Sequence, residues 1–222
     1  MSRYSRLLEL KDIDLEQLFS LAQKRVLIIG VGGVGQHVST YLVTNGVTNL
    51  TIVDYDKVEL SNLNRQILLT ENDIGKSKVE VVKDALLARN KDSNITSINL
   101  KVDRNNVLNL ISDYDLVIDA VDNWNSKLVI SMGCKKNNIP LLHIGVDGYK
   151  GQCCLFLNKS LEDIVTNEII SSPEDGVLGP MVGLISSYAS LIAMRYLLNE
   201  LVETDTLFYF DYLSNRLVKM AI

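Results

Sequence analysis

RVLIIGVGGVGQHVSTYLVTNGVTNLTIVD, residues 25–54, decides the fold. Arg25–Gly30 is a short apolar run that predicts a buried strand. Gly30-Val-Gly32-Gly33-Val-Gly35 then fits G-x-G-x-x-G at the head of a predicted helix, residues 33–45. Gly30 permits the tight turn after the strand. Gly32 lets backbone approach a phosphate, with Gly33 beside it, and Gly35 lets the helix pack on the sheet. Free N–H groups and the positive dipole end of that helix suit an anion. A second strand, Leu50–Asp54, ends in a carboxylate 19 residues after Gly35, a position suited to ribose hydroxyls. Asp56 follows one pleat later. Strand, glycine turn, helix and strand in about 30 residues make a βαβ unit. Taken alone, this unit serves NAD as well as ATP.

Working outward, residues 7–22 show helical spacing, and the first 24 residues read as an N-terminal helix or arm. Tyr55–Lys76 is a polar connection longer than compact domains usually need, a feature of functional loops. Further elements alternate: a helix over Ser77–Arg89, a strand over Ile95–Val102, a short helix near 105–112, a strand at Asp115–Asp119, a helix over 124–137 and a strand from Pro140. The alternation then changes. Gln152–Leu157 reads as a strand with little helix before it, residues 158–179 as a crossover loop, and 180–198 as an apolar helix. Thr206–Asp211 and Arg216–Met220 read as an antiparallel hairpin. The expected fold is an α/β, Rossmann-like doubly wound sheet, parallel in its N-terminal half with a mixed, antiparallel C-terminal extension, residues 1–222 forming one domain.

The bulk properties narrow the partners. The 222 residues carry a net charge of −5 and no basic tail, which speaks against a nucleic-acid partner. Residues 180–198 include three serines and an arginine without a basic flank, so a core or interface helix is expected rather than a membrane span. The N-terminus is charged and lacks the apolar core of a secretory signal. Three cysteines with no CxxC pair, together with two histidines, suit reduced thiols in a cytoplasmic protein and no zinc site.

Two further clusters carry chemistry. Asn62-Leu-Asn-Arg65-Gln66 lies in the long connection, and Gly75-Lys76-Ser-Lys78 opens the next helix. A dinucleotide enzyme needs no such group of amide and cationic donors. An enzyme that cleaves a triphosphate does, because negative charge builds on the phosphates as pyrophosphate leaves, and Arg65 and Lys78 would neutralise it. A merely solvated basic loop is the plain alternative. Asp119-Ala-Val-Asp122-Asn123 ends a buried strand on the crevice side of the sheet. Asp122 suits Mg²⁺, which often takes only one or two carboxylates beside phosphate and water. Its plain alternative is a cap for the helix that starts near Trp124.

In this order, RYSR (3–6), GVGGVG (30–35), VDYD (53–56), SNLNRQ (61–66), IGKSKVE (74–80), DAVDN (119–123) and GVLGPMVG (176–183) resemble the ubiquitin-activating E1 enzymes and their bacterial MoeB/ThiF/HesA adenylyltransferase relatives. The resemblance covers most of the chain. It implies ATP-dependent adenylation of the C-terminal carboxylate of a ubiquitin-like sulfur-carrier protein, or else of a peptide precursor or a tRNA-linked carboxylate. Asp54 would hold the ribose, while Asn62, Arg65 and Lys78 would grip the phosphates, with Asp56, Gln66 and Asn123 alongside. Asp122 would coordinate Mg²⁺. Arg6 would reach across a homodimer into the partner's triphosphate, and Gly148–Leu157 would line the path of the substrate tail.

The chain departs from those relatives in lacking both zinc-binding CxxC pairs and any cysteine in 155–222. That implies a reaction ending at the acyl-adenylate, with a thiol role left only to Cys153 or Cys154. An NAD-dependent oxidoreductase would explain the glycines and Asp54 but not Arg65, Lys78 and Asp122 together. A non-catalytic scaffold would not require all of these residues.

Overall fold

The structure is a computed structural model, and it describes residues 3–164 and 176–222. Seven helices and eight strands follow one another among these residues: α1 (Leu15–Gln23), β1 (Arg25–Ile29), α2 (Gly33–Thr44), β2 (Asn49–Asp54), α3 (Lys78–Arg89), β3 (Asn94–Asn99), α4 (Val107–Leu110), β4 (Leu116–Asp119), α5 (Trp124–Asn137), β5 (Leu141–Asp147), β6 (Lys150–Phe156), α6 (Leu161–Ile164), α7 (Gly179–Leu197), β7 (Thr206–Asp211) and β8 (Arg216–Ala221). They build one eight-stranded sheet in the order β3-β2-β1-β4-β5-β6-β7-β8. Strands β1 to β5 are parallel. From β6 onward every pairing is antiparallel. The mixed architecture expected from the sequence is therefore present.

Strand periodicity explains the layers. Val26 and Ile28 of β1 enter one core, with Leu42 of α2, Val82 of α3 and Ile185 of α7. Leu27 and Ile29 enter the other, with Val107 of α4 and Ile130 of α5. Successive side chains of a strand point to opposite faces, so an all-apolar strand must be covered on both sides. The same alternation sends Leu116 and Ile118 of β4 to the first core and Val117 to the second. Asp119, next in phase with Val117, faces the α5 side.

Three boundaries differ from expectation. The first helix starts only at Leu15, because Asp14 and Gln17 form a reciprocal capping box there, and residues 4–10 are turns tied by Leu7 and Leu8 N–H to the Tyr4 carbonyl. β3 stops at Asn99 rather than Val102, since its partner β2 ends at Asp54, opposite Asn99. The crossover loop expected over 158–179 contains a short helix, α6, and gives way to α7 at Gly179; its residues 165–175 lie outside the described residues. No helix among the described residues is long and apolar enough to cross a membrane.

The chain winds outward from β1 through β2 to β3 and then returns to the other side of β1 as β4. A crevice opens where the order reverses, at the carboxyl ends of β1 and β4. Both motif loops, Gly30–Gly35 and Asp119–Asn123, leave the sheet there.

Candidate active site

The glycine turn is held by contacts that exclude side chains. Gly30 has φ +91°, a conformation only glycine adopts readily, and a Cβ there would lie 2.7 Å from the Ala120 carbonyl oxygen. At Gly35 a Cβ would overlap the Gly30 carbonyl oxygen. The head of α2 is therefore pressed onto the end of β1, while β4 closes from the side through Ala120 N–H to the Ile29 carbonyl at 2.9 Å. Gly32 is the N-cap of α2 and offers no side-chain cap. The first-turn amides are thus left for an external anion.

Asp54 is buried beside this turn. One of its oxygens accepts Val31 N–H at 2.8 Å, and the other accepts Asp56 N–H at 2.9 Å. A carboxylate has about four lone-pair sites, so each oxygen keeps capacity for a hydroxyl. Asp56 pairs with Lys78, Nζ to Oδ2 at 3.1 Å, with the lysine side chain buried and the aspartate half exposed. Lys78 enters α3 with its own N–H on the Asp56 carbonyl. One N–H of its ammonium meets Asp56; two more are available to an anion.

The connection 55–77 folds back over the turn through two 3₁₀ turns, Leu60–Asn62 and Glu71–Asp73. Buried Asn62 caps the first by accepting Glu59 N–H at 3.1 Å, which leaves its amide N–H₂ without a protein partner among the described residues. Arg65 lies directly against the glycines: a Cβ on Gly33 would come within 3.3 Å of the Arg65 carbonyl oxygen and 3.4 Å of its Cγ. Its guanidinium donates to the Ser61 carbonyl at 3.0 Å and to Asn64 Oδ1 at 2.8 Å, and pairs with no acid among the described residues. Gln66 is joined to the turn by Gln36, a residue the sequence reading passed over. Buried Gln36 donates to the Val31 carbonyl at 2.9 Å and to Gln66 Oε1 at 3.3 Å, and accepts Leu68 N–H at 2.8 Å. The head of α7 completes this wall, with Gly179 against the Asn64 carbonyl and Val182 against Gly33. The GVLGPMVG stretch thus supplies packing against the arginine loop.

Asp122 is exposed on the loop after β4 and makes no hydrogen bond or ion pair among the described residues. The cap of α5 is Asn123, whose Oδ1 accepts Ser126 N–H at 2.8 Å. This corrects the alternative that Asp122 caps this helix. The same bond commits the Asn123 oxygen locally. Arg6 lies outside the crevice of its own chain. It pairs with Glu9 at 2.8 Å, with its side chain 89% exposed. Its segment is tied to the far ends of α2 and α3 through Arg3 to the Arg89 carbonyl and Tyr4 beside Gly46. The twelve residues of α2 put about 18 Å between that end and the glycine turn.

Beneath the Asp122 loop lies a polar cluster absent from the sequence reading except for Asp119. Asp119, Lys127 and His143 are all buried. The Lys127 ammonium meets both Asp119 oxygens at 3.1 Å and the Ile144 carbonyl at 2.8 Å. His143 Nδ1 lies 2.8 Å from Asp119 Oδ2, and Asp119 Oδ1 also accepts Val121 N–H at 3.3 Å. Burial alone would raise the Asp119 pKa, but Lys127 and His143 outweigh it and hold the carboxyl below its ordinary range. Burial, joined by the Lys127 charge, pushes His143 down against the pull of Asp119, so the ring is neutral. The three cysteines are buried. Burial pushes Cys153 and Cys154 up to about 12 and raises Cys134 as well.

Among the described residues no three His, Cys, Asp or Glu side chains cluster as a metal site. Two surface cavities lie elsewhere, one beside Lys24 and Asp115 at the opposite end of the sheet and one between Lys135 and Lys159. The candidate site is an open crevice with cationic and amide walls.

The family model described as the ThiF family matches residues 4–222. A molybdopterin-synthase adenylyltransferase of Escherichia coli (strain K12) is 34% identical over 204 residues, covering 89% of this chain and 82% of that protein. An adenylyltransferase and sulfurtransferase MOCS3 of Culex quinquefasciatus is 33% identical over 224 residues, covering 95% of this chain and 50% of that protein. Among solved structures, E. coli MccB with ATP shares the fold, with a TM-score of 0.90 and 24% identity over 99% of this chain and 71% of that one. With its family match spanning nearly the whole sequence and the glycine turn, arginine loop and Asp122 loop meeting at one crevice, the chain belongs to the ThiF family.

Proposed function

We propose that this chain is an adenylyltransferase that uses ATP to activate the C-terminal carboxylate of a ubiquitin-like sulfur-carrier protein. The observation that carries this reading is the packing of Arg65 on Gly33. It holds the arginine loop on the glycine turn, with a guanidinium that pairs with no acid among the described residues, while the buried Lys78 ammonium stands at the head of α3. Dinucleotide binding alone needs neither cation. The relatives, named as adenylyltransferases and in one case also as a sulfurtransferase, support the reaction and the class of carrier.

In this reading Asp54 takes the ribose hydroxyls on its free lone pairs. The α2 amides, Asn62, Arg65 and Lys78 take the phosphates, with Asp56 orienting Lys78, while Gln66 and Asn123 hold the loops on either side. The carrier's carboxylate attacks the α-phosphorus in line. A C-terminal oxygen–phosphorus bond forms, the bond to the β-phosphate oxygen breaks, and pyrophosphate leaves. No general base is required, since a carboxylate is ionised near neutral pH. Positioning two anions and neutralising the leaving group supply the rate.

The donor set fits Mg²⁺. Asp122 offers an uncommitted carboxylate, and Mg²⁺ completes its six positions from phosphate and water. Bound there, the ion would neutralise charge on the triphosphate. Buried, protonated thiols argue against a thioester on this chain, so the second nucleophile comes from elsewhere.

The reading includes a homodimer, in which residues 1–222 act as one adenylation unit completed by its partner. Arg6 pairs with Glu9 on a segment tied to the end of α2 that lies about 18 Å from the glycine turn. α2 and α7 together expose Tyr41, Leu184 and Leu191, an apolar strip that a two-fold partner would cover. Antiparallel apposition of two such strips brings each arm to the other's glycine turn.

The direct test is mass spectrometry of the carrier after incubation with ATP and Mg²⁺. The reading predicts an adenylated carrier that hydroxylamine cleaves. A carrier left unmodified at saturating ATP would refute it.

A further inference from the structure

We propose that Gln152 is a specificity-determining residue whose side-chain oxygen accepts a backbone N–H from the last three residues of the acyl substrate. The proposal rests on the adenylation reading above.

Hydrogen-bond polarity runs outward from the buried cluster. A carboxylate can only accept, so His143 Nδ1, 2.8 Å from Asp119, carries the proton. The ring is neutral, so its Nε2 is an acceptor. Gln152 Nε2, 3.3 Å away, must then be the donor. The amide is fixed by this sequence of bonds, and the oxygen is the end left over. Gln152 Oε1 has no hydrogen-bond partner among the described residues, and the side chain is only half buried.

Position gives that oxygen a use. Gln152 of β6 stands opposite Gly145 of β5 and Tyr209 of β7, on the face that carries Asp119 and His143. A Cβ on Gly145 would come within 3.1 Å of Gln152 Cγ and 3.2 Å of its Nε2, so glycine at 145 makes room for this side chain. The covering helix α5 begins at Trp124, whose ring stands edge-on to His143 at 6.3 Å. Gln152 lies two strands from β4, about 10 Å from the Asp122 loop. Three extended residues span that distance at about 3.3–3.6 Å each. A tail that enters across β6 and β5 would therefore pass Gln152 within the last three residues before its carboxylate reaches the nucleotide. A glycine-rich tail has no side chains to read, so its peptide N–H groups are what a site can recognise. Sites built to pair a polar group reject analogues that lack it.

The test uses ATP–pyrophosphate exchange with carriers in which each of the last three peptide N–H groups is replaced in turn by an ester oxygen. One replacement should raise the carrier KM about tenfold for the wild type with the ATP KM unchanged. Gln152→Met should raise the parent carrier's KM by a similar factor, and the sensitive ester should cost that variant nothing more. Equal ester penalties in the two proteins, or ester carriers as good as the parent for the wild type, would overturn the role of Gln152 alone. The second comparison needs no variant to fold. Failure of the wild type to exchange with the parent carrier would instead overturn the adenylation reading and this role with it.

Discussion

The ammonium of Lys127 sits 3.1 Å from each oxygen of Asp119, with both side chains withdrawn from water. Removing one member of a buried ion pair strands the other charge, at a cost of about 3–5 kcal/mol. Lys127→Met should therefore lower the unfolding free energy by about that amount, measured by urea titration. The Asp119→Asn/Lys127→Met double variant should recover part of the loss, because neither charge remains. Wild-type stability in Lys127→Met would contradict the arrangement.

Acid should act on the same cluster in two stages. The unfolded chain protonates His143 near its ordinary pKa of 6.5, whereas the folded chain resists until lower pH. This histidine's stabilisation is complete above about pH 6.5 and is lost as pH falls below it, by up to about 1.4 kcal/mol per pH unit. Asp119, also depressed when folded, adds a second loss below about pH 4. His143→Asn keeps a donor to Asp119 and should flatten the upper stage while leaving the lower one. An unchanged slope between pH 7 and 5 would exclude His143 as its source.

The thiols should be silent. With Cys153 and Cys154 pushed up to about 12 by burial, iodoacetamide at pH 8 should leave the native protein unlabelled and its adenylation rate unchanged, since the thiolate is the nucleophile. Rapid stoichiometric labelling with loss of activity would restore a catalytic thiol to consideration.

Arg6 and Asp122 should complement each other across subunits. Either Arg6→Ala or Asp122→Ala alone should be nearly inactive. Equal mixing after reversible dissociation should return about a quarter of wild-type activity, because half the dimers are mixed and each holds one intact site. Sedimentation as a monomer, or no recovery on mixing, would place Arg6 outside catalysis.

Much of the frame was legible because local periodicity and local chemistry agree there. Val26–Ile29 has no polar residue in phase with either face and needs cover on both. Gly30 and Gly35 stand where side chains collide, and Asn137 ends α5 where Asn138 turns left-handed at φ 52°. What stayed hidden depends on distance in sequence. Lys127 and His143 look like ordinary helix and strand residues; their meaning comes from Asp119, 8 and 24 residues away. Gln36 reads as a helix polar residue, yet it ties the glycine turn to Leu68. Asp122 and Asn123 are both good caps by type, and only geometry assigns the cap to Asn123. The start of α1 was set by a capping box that the longer apolar pattern masked.

The central claim is carboxylate activation at the Arg65–Lys78–Asp122 crevice, and ATP–pyrophosphate exchange tests it most directly. The wild type with Mg²⁺ and a Gly-Gly-terminated sulfur carrier should exchange label only when that carrier is present. Asp122→Ala and Arg65→Ala should each lower the rate at least ~100-fold. Near-normal exchange in Asp122→Ala, or none in the wild type despite bound ATP, would contradict the account.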